Sequence, residues 1–285
     1  MIETWLQALP HGITLSCRAA GERGRPVLIF LHGFPEAAFV WDELLEHFAA
    51  RGYRCVAPNL RGYERSTQPT DVAAYRAKHL VQDLAALIAI EGAPLECLVA
   101  HDWGGAVAWN LANQLPQLTR KLAIINSPHP GTFLRELQTN PRQQQASAYM
   151  NFLVRPDSEA LLREDGYRRL LGFFGHPAWM TDDVKKQYLD VWDASLTGGV
   201  NYYRASPLRP ATAADVTLPP EMLKVDIPTL VLWAMEDIAL PPELIEGLDQ
   251  YVSQLTLEKV PGATHWIVHE RPAFVAERLG AFLAR

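Results

Sequence analysis

Short continuous apolar runs, separated by helix-like stretches, constrain the fold of this chain more than any other feature. Val27–Leu31 (VLIFL) is bounded by Pro26 and His32-Gly33. It is too short for a buried helix and suits a strand covered on both faces. Arg54–Ala57, Cys97–Ala100 and Leu122–Ile125 repeat the pattern, and Thr229–Trp233 and Leu255–Val260 resume it near the end. Between these runs, Trp41–Ala50 has helical periodicity, and His79–Ile90 places Leu80, Leu84 and Leu87 on one face. A helix follows Ala100 as far as Leu115. Others are expected near Pro242–Tyr251 and over Pro272–Arg285. Such alternation predicts the α/β class, with a mostly parallel sheet and helices on both faces.

The alternation breaks from about Gly131 to about Pro220. That stretch is rich in Arg, Gln, aromatics and helix formers, with punctuation at Pro141, Pro156, Gly175 and Gly198-Gly199. It reads as a helical insertion. The expected organisation is a core from 1–130 and 221–285 with a helical cap over 131–220. A chain of 285 residues, 48% hydrophobic, is long enough for both.

The net charge of −6 is spread along the chain and lacks the basic footprint of a nucleic-acid binder. Cys17, Cys55 and Cys97 are odd in number and widely spaced, with no CxxC, which argues against a disulfide framework or a zinc site. MIETWLQALPHG does not have the pattern of a secretory signal, and no apolar run approaches a membrane span. The expectation is a soluble, cytoplasmic protein with no nucleic-acid or membrane partner. The sequence carries no mark of oligomeric state, so a homo-oligomer stays open.

Ala100-His101-Asp102-Trp103-Gly104-Gly105 lies where a buried strand turns into a helix. A turn this sharp needs small residues two positions before and after its centre, here Ala100 and Gly104. It is a nucleophile elbow with G-x-S-x-G replaced by A-x-D-x-G. The turn presents Asp102 at the carboxyl end of the sheet, where open α/β sheets bind ligands. The unpaired N–H groups at the start of the following helix favour an ionised carboxylate. Such a carboxylate can attack an sp³ carbon bearing a strained or good leaving group and form an ester that water later cleaves. The plain alternative is that Asp102 only caps the helix.

Other residues answer that alternative by their order along the chain. Asp237 follows the run ending at Trp233, and His265 follows the run ending at Val260. Nucleophile, acid and histidine thus come in the order this kind of sheet uses. His265 would take a proton from the hydrolytic water, and Asp237 would orient its imidazole. Glu236 is displaced by one residue from the position of the acid. His269 falls where a surface helix is expected to begin. His32-Gly33-Phe34-Pro35 follows the first run and suits a turn with a cis bond before Pro35. Such a turn could aim the Phe34 N–H, with that of Trp103, at an oxyanion. His32 is read as a packing residue.

Taken together, HGFP at 32–35, RGYERS at 61–66, HDWGG at 101–105, the Asp237 turn and GATHW at 262–266 resemble the α/β-hydrolase-fold epoxide hydrolases, soluble and bacterial in type. The resemblance spans essentially the whole chain. It implies conversion of an epoxide to a vicinal diol through an ester on Asp102, with two cap tyrosines holding the epoxide oxygen. The segment 140–149 matches the one carrying the first, Tyr149. VNYYR at 200–204 matches the one carrying the second, taken as Tyr203 rather than Tyr202. Asn126-Ser127-Pro128-His129-Pro130 resembles the lead into the cap of bacterial members. A phenol suits the task, because it stays protonated at neutral pH and can donate to a developing alkoxide. Packing accounts for Tyr167 and Tyr188.

The implied partner is a small apolar epoxide. No metal or organic cofactor is implied, because the leaving group stays attached and no electrons move. Phe152, Phe173, Phe174, Trp179 and Trp192 suggest an apolar wall for the pocket.

Haloalkane and haloacid dehalogenases share the fold and the Asp nucleophile, and Trp103 could donate to a halide. The haloacid members carry arginines beside the nucleophile, where Gly104-Gly105 stand here. Haloalkane members need a second donor, which Phe34 does not offer and which Trp179 or Trp192 could. A non-catalytic binding protein would have no use for Asp102, Asp237 and His265 together.

Overall fold

The apolar runs form the middle of one eight-stranded sheet in the computed structural model, which describes all of residues 1–285. The strands are β1 (Glu3–Ala8), β2 (Thr14–Ala20), β3 (Val27–Leu31), β4 (Arg54–Pro58), β5 (Cys97–His101), β6 (Leu122–Ile125), β7 (Thr229–Ala234) and β8 (Leu255–Val260). Their spatial order is β1-β2-β4-β3-β5-β6-β7-β8. All neighbours from β4 to β8 pair in parallel, while β1 and β2 run antiparallel. Every residue of β3, β4, β5, β6 and β7 is buried, which explains their uninterrupted apolar character.

Helices α1 (Asp42–Ala49), α2 (Ala77–Glu91) and α3 (Trp103–Gln114) lie in the first half. The chain steps from β3 outward to β4, then back across β3 to β5. Right-handed crossovers in opposite directions place α1 and α2 on opposite faces of the sheet. Between β6 and β7 come α4 (Pro130–Thr139), α5 (Pro141–Ala146), α6 (Tyr149–Leu153), α7 (Ser158–Phe174) and α8 (Asp182–Ala205), with no strand among them. The chain ends in α9 (Ile267–Glu270) and α10 (Pro272–Leu283); α10 packs on α1, and α3 packs on α2.

Register fixes the site. Leu31 pairs with Ala100, His101 with Ile125, and Ile125 with Leu232. The parallel strands therefore end level, and the loops that follow them gather at one edge.

Two expectations need correction. Pro242–Tyr251 is not one helix but two short 3₁₀ turns, over 242–245 and 248–250. Pro241 and Pro242 remove two backbone donors at its start. The antiparallel strands β1 and β2 were not expected, because β1 is a half-exposed edge without a continuous apolar run. No helix is long and apolar enough to cross a membrane.

Candidate active site

Asp102 stands at the turn from β5 into α3 with φ 49° and ψ −122°. Its side chain makes no helix-capping hydrogen bond. The simple capping role therefore fails, and a strained residue remains whose carboxylate faces the sheet edge. The turn closes because its neighbours lack bulk. A Cβ on Gly104 would sit 2.5 Å from the Leu31 carbonyl oxygen, and one on Gly33 would collide with the Asp102 side chain. From the next strand, Ser127 Oγ donates to the Asp102 carbonyl at 2.6 Å.

The Phe34 N–H donates to Asp102 Oδ1 at 2.7 Å, in a loop whose Phe34–Pro35 bond is cis. Trp103 opens α3, and its indole stands edge-on to Tyr203, centroids 5.1 Å apart. His32 is a packing residue, as its sequence context suggests: Nε2 accepts from the Leu60 N–H at 3.1 Å, and Nδ1 lies 2.9 Å from the Gly33 carbonyl. Its burial lowers its pKa to about 4, so it is neutral.

Asp237 follows β7 and is fully enclosed. Its Oδ2 lies 2.6 Å from His265 Nδ1 and accepts from Asn126 Nδ2 at 2.8 Å. Its Oδ1 accepts from the N–H groups of Ala239 and Leu240, each at 2.9 Å. Burial alone would raise the pKa of Asp237, but the His265 charge and these hydrogen bonds outweigh it and lower it. His265 Nε2 lies 3.7 Å from Asp102 Oδ2. Burial favours its neutral form, yet Asp237, with Asp102 and Glu36 adding, raises its pKa to about 9. Glu236 is exposed, and the neighbour His265 engages is Asp237.

Tyr149 begins α6, and Tyr203 lies near the end of α8. Their rings face each other at 6.0 Å between centroids, and Tyr203 also meets Phe34 edge-on at 5.2 Å. Burial holds both phenols protonated, and the Asp102 charge pushes in the same direction. Tyr202 points away and donates to the Arg61 carbonyl at 2.8 Å.

Three residues of this centre were not singled out from the sequence. Asn126, at φ 39°, ties Asp237 to the end of β7 by also accepting from the Ala234 N–H at 2.8 Å. Its signals were its place directly after a buried strand and at the head of the 126–130 segment, neither of which points to Asp237. Glu36 and His101 form a buried pair, with Glu36 Oε2 2.9 Å from His101 Nδ1 and His101 Nε2 3.0 Å from the His265 carbonyl. Both flank motifs that were recognised for other residues.

His269 departs from its expected surface position. Its Nε2 lies 2.7 Å from the Tyr188 hydroxyl and 3.4 Å from Glu36, and Trp179 stacks flat on its ring at 4.1 Å. Trp192 donates to the Pro35 carbonyl at 2.7 Å. Neither tryptophan lines a cavity containing Asp102, so neither is placed as a halide donor.

Two chambers meet at Asp102 and Tyr149, which line both. One of about 270 Å³ has Leu80, Val107, Phe133 and Met150 in its wall. The other, about 540 Å³, contains Tyr203, Asp237 and His265, with Phe173 and Phe174 in its wall.

An elbow aspartate, a histidine–aspartate pair and two phenols gather at one edge of the sheet. The sequence matches the α/β-hydrolase-fold family over residues 26–272. It is 35% identical to the AB hydrolase superfamily protein YfhM of Bacillus subtilis (strain 168), over 96% of this chain and 95% of that protein. A solved structure from work on novel epoxide hydrolases in metagenomes of hot environments is 38% identical, with TM-score 0.90 and 99% of each chain covered. The Bacillus megaterium epoxide hydrolase, solved with an inhibitor, is 28% identical with TM-score 0.92, covering 99% of this chain and all of that one. The chain belongs to the α/β-hydrolase-fold family, on its epoxide hydrolase branch.

Proposed function

We propose that this protein hydrolyses an epoxide to a vicinal diol in two steps. Asp102 attacks an epoxide carbon, and the ring C–O bond breaks as the new C–O bond to the carboxylate forms. Tyr149 and Tyr203 donate to the departing oxygen, which leaves as a hydroxyl. His265, oriented by Asp237, then removes a proton from water. That water adds to the ester carbonyl and the N–H groups of Phe34 and Trp103 hold the oxyanion; as the intermediate collapses the C–O bond to the carbonyl carbon breaks, the leaving diol oxygen takes the proton from His265, and the proton of the Asp102 carboxyl so formed returns to the phenolate. The helical segment 131–220 acts as a cap on a core formed by 1–130 and 221–285. A cytoplasmic location is supported by three free, buried cysteines.

The observation that carries this reading is the convergence of two phenols and the His265–Asp237 pair on one carboxylate. The electrostatics suit the sequence of steps. While Asp102 is charged, it helps keep His265 protonated. Ester formation removes that charge, which loosens the hold of the site on the imidazole proton at the stage when the ester awaits water.

His265→Gln is expected to form the ester and not release it. Intact-protein mass spectrometry after adding a reactive epoxide should show the protein plus one substrate mass. An unmodified mass would overturn the mechanism.

A further inference from the structure

We infer that the substrate is an uncharged internal epoxide carrying a substituent on each ring carbon, one for each chamber; this rests on the epoxide hydrolase reading above. Asp102 and Tyr149 are the wall shared by the two cavities. A ring held between the carboxylate on one side and the phenols on the other has its substituents projecting sideways, into the chambers. A terminal epoxide would leave one chamber without an occupant.

Both chambers have the size and surface for an arm. The smaller, about 270 Å³, is largely apolar. The larger, about 540 Å³, is more mixed. Together they fall within the roughly 300–1,000 Å³ typical of sites for drug-sized ligands. Each also has an exposed apolar residue in its wall, Met222 at 47% in the smaller and Ile238 at 86% in the larger. An arm can therefore keep apolar contact as far as either rim.

The charge of the arms follows from the walls. No lysine or arginine lines either chamber, while Asp102, Glu236 and Asp237 line the larger. The one cation there, His265, is already held between Asp237 and Asp102, so a carboxylate or phosphate on an arm would meet mainly like charge. This separates the site from one built for an acidic substrate.

The test uses the purified full chain and four synthetic probes: an internal epoxide with a butyl group on each carbon, a terminal epoxide with one butyl group, and an internal epoxide ending one arm in a carboxylate, beside its methyl ester. Each buried methylene is worth about fourfold in binding. The internal dibutyl epoxide should therefore exceed the terminal one in kcat/KM by at least about tenfold, and the methyl ester should exceed the acid by a similar factor. Ala106→Phe narrows the smaller chamber and Ala146→Phe the larger. Each should lower the internal-to-terminal ratio, with circular dichroism and the melting midpoint checking the fold. A terminal epoxide turned over as well as the internal one, an acid preferred to its ester, or a ratio unmoved by either well-folded variant would overturn the inference. Absence of diol from all four probes would instead overturn the epoxide reading itself.

Discussion

At the scale of single residues, the proposed mechanism rests on two tyrosines to decide between chemistries that the elbow alone leaves open. A carboxylate nucleophile serves carbon–halogen and epoxide chemistry equally, and only the latter needs a proton for an oxygen that stays on the substrate. Tyr203 and Tyr149 face each other beside Asp102, whereas the neighbouring Tyr202 has its hydroxyl committed to the Arg61 carbonyl. Removing one of two donors to a developing oxyanion typically costs about a hundredfold or more. Tyr149→Phe and Tyr203→Phe should each slow alkylation by roughly that factor, as read by stopped-flow on a single turnover. Tyr202→Phe should act mainly on stability, by about 1 kcal/mol for one lost hydrogen bond. Slower alkylation from Tyr202→Phe than from Tyr203→Phe would reverse the assignment.

At the scale of elements, the site is a consequence of strands that end level. Asp102 follows β5 directly, and Asp237 and His265 lie in the loops just after β7 and β8, so they were legible as soon as the strands were found. Asn126 occupies the equivalent place after β6 and opens the 126–130 segment, yet that segment marks the lead into the cap and not this role, which depends on a contact with Asp237, 111 residues away. Glu36 and His101 were hidden for the same reason, since their partner carbonyl belongs to His265. The helices between β6 and β7 showed as a loss of alternation, but the pairing of Tyr149 with Tyr203 came from resemblance, because packing between helices leaves no local periodicity. The edge strand β1 escaped because its exposure leaves no apolar run, and β2 because Thr14, Ser16 and Arg18 interrupt its sequence. The elbow itself depends on backbone approaching backbone. Gly104→Ala would place a methyl 2.5 Å from the Leu31 carbonyl oxygen and 2.7 Å from that of His32. Neither can rotate aside, so a destabilisation of about 1–3 kcal/mol is expected. The same shift should displace Asp102 and lower the alkylation rate. A melting midpoint and rate equal to the wild type would mean that the turn is looser than its contacts imply.

At the scale of the whole molecule, the site couples stability to pH in two opposite directions. Glu36 and Asp237 are buried, which alone would raise their pKa values, but their histidine partners hold both below the usual carboxylate range. Their contribution is present above the unfolded values of about 4 and is lost as the pH falls through the lower folded values. His265 runs the other way. Its folded pKa of about 9 lies above the unfolded 6.5, so its contribution is complete below pH 6.5 and disappears as the pH rises towards 9. Burial lowers the pKa values of His32 and His129 to about 4, so both add stability that is complete above the unfolded 6.5 and is lost as the pH falls below it; stability should therefore peak near roughly pH 7. The alkaline loss is on the order of 3 kcal/mol if the whole shift is expressed. The buried thiols of Cys17, Cys55 and Cys97 also disfavour unfolding-linked ionisation, but only above their unfolded value of about 8.5. Between roughly pH 7 and 8 the unfolded imidazoles are mostly neutral, so His265 dominates the change. The melting midpoint should fall across that window in the wild type, and Asp237→Asn, which removes the main charge holding the proton on His265, should flatten the fall. A midpoint that rises from about pH 7 to 8 would show that the imidazole is neutral in the free enzyme, and that ester formation is not needed to release it as a base.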